Sequence, residues 1–215
     1  MGREVILTIC AHNDDQIIGA GGTLAKYGRE GARIRTIICS FGESSHPHLR
    51  REVIVERRVK ESLRSDKILC GSGVAYFGLK EGRFLEEFQQ KKIKEKVRWI
   101  VRHEKPTKIF THSLDDPHPD HRAVNKLVRE LLKEGAIQCD TYEFTVWNVI
   151  KFLRRNVPRL VVDITGTFST KIRALSAHKS QQVTMWSLLW NIYLKSRVLG
   201  FTHGYKFAEV FYKLN

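Results

Sequence analysis

Cysteine is scarce in this 215-residue chain: Cys10, Cys39, Cys70 and Cys139 lie far apart and form no C-x-x-C pair. That spacing leaves no ground for a disulfide scaffold. Cys10 and Cys39 fall in apolar, strand-like runs where a free thiol behaves as a small hydrophobe, so a reduced cytoplasm is the expected setting. Long apolar runs are missing too. None approaches the roughly 20 residues of a membrane-spanning helix, and Met1-Gly2-Arg3-Glu4 leads into no signal-peptide core. No internal repeat, low-complexity tract or linker-like stretch divides the chain. A single domain over 1–215 is expected, large enough to bury a core without cross-links. Acidic charge is in short supply, 23 side chains against 37 basic ones, for a net +14. That balance favours anionic partners such as phosphates, nucleic acid or acidic lipid headgroups.

What is present is an alternation of β-branched apolar runs with longer segments of helical period, the pattern of βαβ units in an α/β domain with a mainly parallel sheet. Strands are predicted at 5–10, 33–39, 74–77, 108–111, 141–146 and 160–163, with a last strand at 206–212 joining the sheet edge. Helices are predicted at 17–29, 49–69, 86–103, 120–134, 169–177 and 184–199. Gly19-Ala20-Gly21-Gly22 opens a helix after a strand but lacks the G-x-G-x-x-G order. It reads as close helix-to-sheet packing, and no nucleotide cofactor is expected.

Two motifs fall at the carboxyl ends of strands, where open α/β sheets gather their ligands. Ala11-His12-Asn13-Asp14-Asp15-Gln16 follows the first strand, and His118-Pro119-Asp120-His121 follows the fourth. Alone, either is also an ordinary capped helix start. Together they offer the donors of an open zinc site, with three protein ligands and one position left free for hydrolysis. His12, Asp15 and His121 suit that set. Because neighbouring carboxylates leave a turn in different directions, Asp14 can face the attacking water as a base while Asp15 binds the ion.

The two motifs resemble the A-H-P-D-D-E and H-P-D-H elements of the LmbE-like, or PIG-L, family of zinc-dependent N-deacetylases. Further matches follow in family order: Arg58 with Glu61, Thr111-His112, Ala177-His178-Lys179-Ser180-Gln181, and Phe207-Ala208-Glu209-Val210-Phe211. The resemblance spans nearly the whole chain. It implies a Rossmann-like three-layer domain, zinc held by His12, Asp15 and His121 (with iron(II) also suited to such a set), and Asp14 as general base. It further implies that His118 polarises the substrate carbonyl or protonates the leaving amine, with Asp120 holding and charging His118. Arg58, Glu81 (in Glu81-Gly82, where the family often has Asp-Gly) and His178 are the implied substrate-binding residues. Asn13 replaces the family's Pro, and Gln16 replaces a Glu that can orient His12. His46 and His48 are alternative ligands, with surface imidazoles the commoner explanation. His103, His112 and His203 read as structural, His112 with a further option of backing the ligands.

The implied reaction is release of acetate from an N-acetylglucosamine-type amide, and the basic charge leans toward a phosphate-bearing sugar. Two rivals differ in class: a metal-dependent amidase or phosphoesterase on another substrate, and a nucleic-acid-binding protein on a retired scaffold. The latter lacks the aromatic-plus-basic signature of a recognised module. The apolar, aromatic segment 185–194 is expected in the core or at a homo-oligomer contact, with a membrane surface as the lesser reading.

Overall fold

The computed structural model describes residues 3–43, 50–147 and 157–215, with the backbone alone for 182–187. His46 and His48 lie outside the described residues. In chain order the elements are β1 (Val5–Cys10), α1 (Asp15–Arg29), β2 (Arg33–Ile38), α2 (Arg51–Ile68), β3 (Val74–Tyr76), α3 (Phe84–Gln90) and α4 (Ile93–Glu104). There follow β4 (Lys108–His112), α5 (Pro119–Lys133), β5 (Asp140–Phe144), β6 (Arg159–Asp163), α6 (Phe168–Leu175), α7 (Gln182–Thr202) and β7 (Ala208–Lys213).

Successive side chains of β1 enter opposite cores. Ile6 and Cys10 join a cluster with Ile17, Leu24 and Phe168, whereas Leu7 and Ile9 join one with Phe84, Val97 and Leu127. A strand apolar on both sides belongs in the middle of a covered sheet. It lies there, in the order β3-β2-β1-β4-β5-β7-β6. The pairs β2-β3, β1-β2, β1-β4 and β4-β5 are parallel, and β7 runs antiparallel to both of its neighbours. The helices form two outer layers, giving the three-layer α/β architecture expected.

The strand order reverses between β1 and β4. After β3 the chain returns through α3 and α4 to lay β4 on the far side of β1, so the loops beyond these two strands diverge and open a crevice. Both motifs stand at that crevice.

Two expectations change. The last strand is not at the edge but inserted between β5 and β6, because Ala208 through Tyr212 are all buried, which an edge would not allow. The helix expected over 86–103 is two helices, broken where Lys92 adopts a left-handed φ of 50°. Within the segment 185–194, expected in the core or at a contact, Leu188 and Ile192 are buried in the core and Trp190, Tyr193 and Leu194 are exposed. No described helix is long and apolar enough to cross a membrane.

The glycines of α1 do serve close packing. A Cβ on Gly19 would stand 2.1 Å from the Phe144 ring, and one on Gly22 would stand 2.7 Å from Ile164. Lys171 of α6 and Glu209 of β7 lock the same turn of helix. The lysine Nζ donates to Ile18 O at 2.8 Å and to Glu209 Oε1 at 2.6 Å, and the carboxylate accepts from the N–H groups of Gly22 and Thr23.

Candidate metal centre and cleft

Asp14 occupies the N-cap of α1. An Asp there ordinarily turns its carboxylate onto the free N–H groups of the first turn, a bond worth about 1 kcal/mol. Asp14 makes no such bond. Its carboxylate lines the cleft instead, 4.0 Å from Arg58 Nη2. Asp15 turns inward, where Oδ2 accepts the His12 N–H at 2.7 Å and lies 3.4 Å from His12 Nδ1, while Oδ1 lies 3.3 Å from His121 Nε2. The two carboxylates thus diverge from one turn.

His12 Nδ1 and His121 Nε2 are 3.2 Å apart. Donors bound at about 2.0–2.1 Å around a tetrahedral ion stand about 3.3–3.4 Å from one another, close to the separation of the two histidine nitrogens and to that of each nitrogen from one or the other Asp15 oxygen. His12, Asp15 and His121 therefore fit a small divalent cation, and they form one of three overlapping groups with that capacity among the described residues. The electrostatics agree. Burial alone would lower His12, but the charge of Asp15, the hydrogen bonds of Asp120 and Asp15, and Glu81 lift it to about 10. Burial likewise opposes protonation of His121, and Asp15 with Asp116 raises it to about 9. Burial works against the Asp15 charge too, yet His121, His112 and His12 hold it well below the usual carboxylate range. Two protonated nitrogens facing each other at 3.2 Å repel and leave neither proton an acceptor, so a metal ion satisfies this demand for positive charge better than two protons do.

Behind each imidazole stands a carboxylate, the arrangement that orients metal-binding histidines. Asp116 Oδ1 lies 2.9 Å from His121 Nδ1, and the Asp116 carboxylate also accepts from the N–H groups of His118 and Val146. Burial opposes its charge, but His121 and these N–H donors hold Asp116 down to about 2. Asp120 Oδ2 lies 3.5 Å from His12 Nε2 and accepts from Gly82 N at 3.0 Å. Gly82 can present that N–H because its φ of 78° suits glycine. The Asp120 carboxylate therefore meets His12, and its charge also acts on the neighbouring His118 ring in the raising direction. His118, the N-cap of α5, uses Nδ1 to accept the Asp120 backbone N–H at 3.2 Å. Burial first, then the nearby His12 and His121 charges, lower its pKa. His112, read as structural, lies against the ligands: its ring stacks on His121 at 3.9 Å, and burial followed by the His121 charge lowers it to about 4.

Arg58 projects from α2 into the cleft with its Nε and Nη1 buried and without hydrogen-bond partners among the described residues. It passes so close to Gly42, whose φ is 74°, that a Cβ there would lie 2.5 Å from Nε. Glu81 lines the same cleft, 3.9 Å from His12 Nε2. His178 does not line it; buried behind, it meets Ser65 Oγ at 3.1 Å, and the adjacent Ser180 is tied to Glu61. Asn13 is buried and donates to Arg58 O and Tyr76 Oη, so it anchors the turn to α2. Gln16 donates to Asn13 O and makes no bond to His12. The cleft measures about 510 Å³, with Ile18, Val146, Trp147 and Leu188 completing its wall. Asp116 escaped the sequence reading. The acidic pair Asp115-Asp116, placed between strand-end His112 and His121, was the available signal.

A model of the PIG-L family, GlcNAc-PI de-N-acetylase, matches residues 7–132, more than half of the chain. The chain belongs to the PIG-L family. A diacetylchitobiose deacetylase of Thermococcus kodakarensis is 25% identical over 222 residues, spanning 95% of this chain and 80% of that protein. Among solved structures, an N,N'-diacetylchitobiose deacetylase from Pyrococcus horikoshii superposes with a TM-score of 0.81 at 21% identity, over 98% of this chain and 84% of that one. A 4-carboxy-2-hydroxymuconate hydratase from Pseudomonas putida superposes with the same TM-score at 20% identity, over 99% and 96%. The family's fold thus carries more than one reaction, and the reaction of this member has to be argued from its site.

Proposed function

We propose that the protein is a metal-dependent hydrolase that removes the acetyl group from an N-acetylglucosamine-type substrate. The observation that carries this is Asp14, a helix-capping carboxylate that forgoes its cap and faces the cleft beside the His12, Asp15 and His121 cluster. The family description and the deacetylase relative point to the same amide. A divalent ion, zinc or iron(II), held by those three residues would supply Lewis-acid polarisation of the amide carbonyl and acidify water.

The chain's own groups then divide the work. Asp14 takes the proton of the attacking water. His118 accepts at Nδ1, which places its proton on Nε2, and its lowered pKa keeps it a neutral donor. From there it hydrogen-bonds the oxygen that becomes negative as the carbonyl turns tetrahedral. Asp14 or His118 returns a proton to nitrogen as the C–N bond breaks, giving acetate and a free amine. Asp120 and Asp116 orient His12 and His121. The unsatisfied donors of Arg58, with Glu81 opposite, hold sugar hydroxyls. Among the described residues four carboxylates and one guanidinium line the cleft, so a phosphate on the substrate would have Arg58 as an anchor there.

The test is acetate release from a panel of N-acetylglucosamine compounds, free, chito-oligomeric and phosphate-bearing, by metal-loaded, chelated and Asp14→Asn protein. Release confined to the metal-loaded wild type is expected. Absence of metal-dependent release from every compound would overturn the assignment in favour of another reaction on this fold.

A further inference from the structure

Helix α7 carries large apolar side chains on its outer as well as its inner side, yet the domain covers only the inner one. Leu188, Ile192 and Leu199 enter the core, while Trp190 is 75% and Phe201 81% exposed, with Tyr193, Leu194 and Val198 exposed between them. Residues 190, 194, 197, 198 and 201 share one stripe of the helix. In that stripe Arg197 is the one charged side chain. A solvent-facing helix surface ordinarily carries its charged residues, so a stripe of this kind marks a surface meant to be covered. At its base α6 and α7 enclose an apolar groove of about 550 Å³ lined by Phe168, Ile172, Leu189, Trp190 and Tyr193.

Charge identifies what covers it. From residue 164 to 215 the chain has seven Lys and Arg but a single acidic residue, Glu209. That one is buried and paired with Lys171. Arg173 on α6, Lys179 before α7, Arg197, and Lys206 after it are all exposed. A second copy of the chain docked face to face would bring these cations against their own copies, with no exposed acid from this stretch to answer them. An anionic bilayer meets the same cations with opposite charge and takes Trp and Tyr side chains at headgroup depth. We infer that the outer face of α6 and α7 is a docking surface for an anionic phospholipid membrane, bound peripherally. It uses none of the residues assigned to the reaction.

The test is sedimentation of the full chain with vesicles of phosphatidylcholine alone or mixed equally with phosphatidylglycerol. Binding to the mixed vesicles at least about tenfold tighter than to the neutral ones, and weaker at 0.5 M than at 0.1 M salt, is expected. Trp190→Ser with Phe201→Ser, and separately Arg197→Glu, should each lower that affinity about tenfold or more, with unchanged circular dichroism. Trp99→Ser, an exposed tryptophan on α4, should leave it intact. Equal affinity for the two vesicles, equal loss in the Trp99 variant, or light scattering that shows a Trp190-dependent dimer without vesicle binding would overturn the proposal. Since no turnover is measured, the result is independent of the deacetylase assignment.

Discussion

Asp116 and His121 meet at 2.9 Å, carboxylate Oδ1 to imidazole Nδ1, while the other ring nitrogen faces Asp15 and His12. Asp116 thus fixes which nitrogen His121 offers to an ion and aims it. Asp116→Ala is expected to lower metal affinity about 10- to 100-fold, measured by competition with a chromogenic chelator. Wild-type affinity in that variant would mean that packing against His112, not the carboxylate, orients the ring.

The two adjacent acids of the first motif should separate cleanly by substitution. Asp14→Asn is expected to keep its metal and lose turnover by about 10²–10⁴-fold. Asp15→Ala and His121→Ala are expected to lose the metal itself. Metal content and acetate release, read on the same preparations, check both halves, and a fully active Asp14→Asn protein would remove Asp14 as the base.

Metal removal should make stability pH-dependent in a definite direction. Without the ion, the folded-state values of about 9 for His121 and about 10 for His12 stand above the ordinary 6.5. Protonation therefore favours the fold. This contribution is complete below about pH 6.5, declines as pH rises, and is gone above about 9 and 10 respectively. The melting temperature of chelated protein should fall between pH 6.5 and 10, while metal binding, which displaces those protons, should tighten over the same range. A chelated protein whose melting is flat across that interval would contradict the assignment.

The Lys171 and Glu209 pair tests the packing that supports α1. Both side chains are buried, and between them they satisfy Ile18 O, Gly22 N and Thr23 N. Lys171→Met should destabilise the protein by about 3–5 kcal/mol in urea unfolding, because it breaks a buried ion pair and leaves the Glu209 carboxylate without the cation bonded to it. Combining it with Glu209→Gln should recover part of that loss, since the stranded charge disappears. A double variant no more stable than the single one would place the damage in packing.

Much of this architecture was legible because residue type and position agreed. Six strand residues from Val5 to Cys10 carry apolar groups to both faces, which demands a central strand, and two acids after such a strand must diverge at its end. The matches at Arg58, Glu61 and Ala177 through Gln181 acquire a physical sense in three dimensions, for Glu61 holds Ser180 and Ser65 meets His178. Other features leave no trace in a pattern. The break at Lys92 is a backbone choice, and lysine there disturbs no periodicity. Asp116 and Asp115 look alike until the loop turns one inward. The Asp120 carboxylate also crosses to His12, distant in sequence, a contact that its place beside His118 does not announce.

The place of β7 has a consequence for how the molecule is assembled. Among the described residues β6 pairs with β7 and no other strand, and β7 follows β6 by more than forty positions while separating it from β5. On a ribosome, the first five strands can zip up while residues 159–163 remain without a seat. Their docking waits for the last strand to emerge and wedge itself in. Until then β5 presents an open edge to any passing extended chain, so the aggregation-exposed interval lasts until residues 208–213 have emerged.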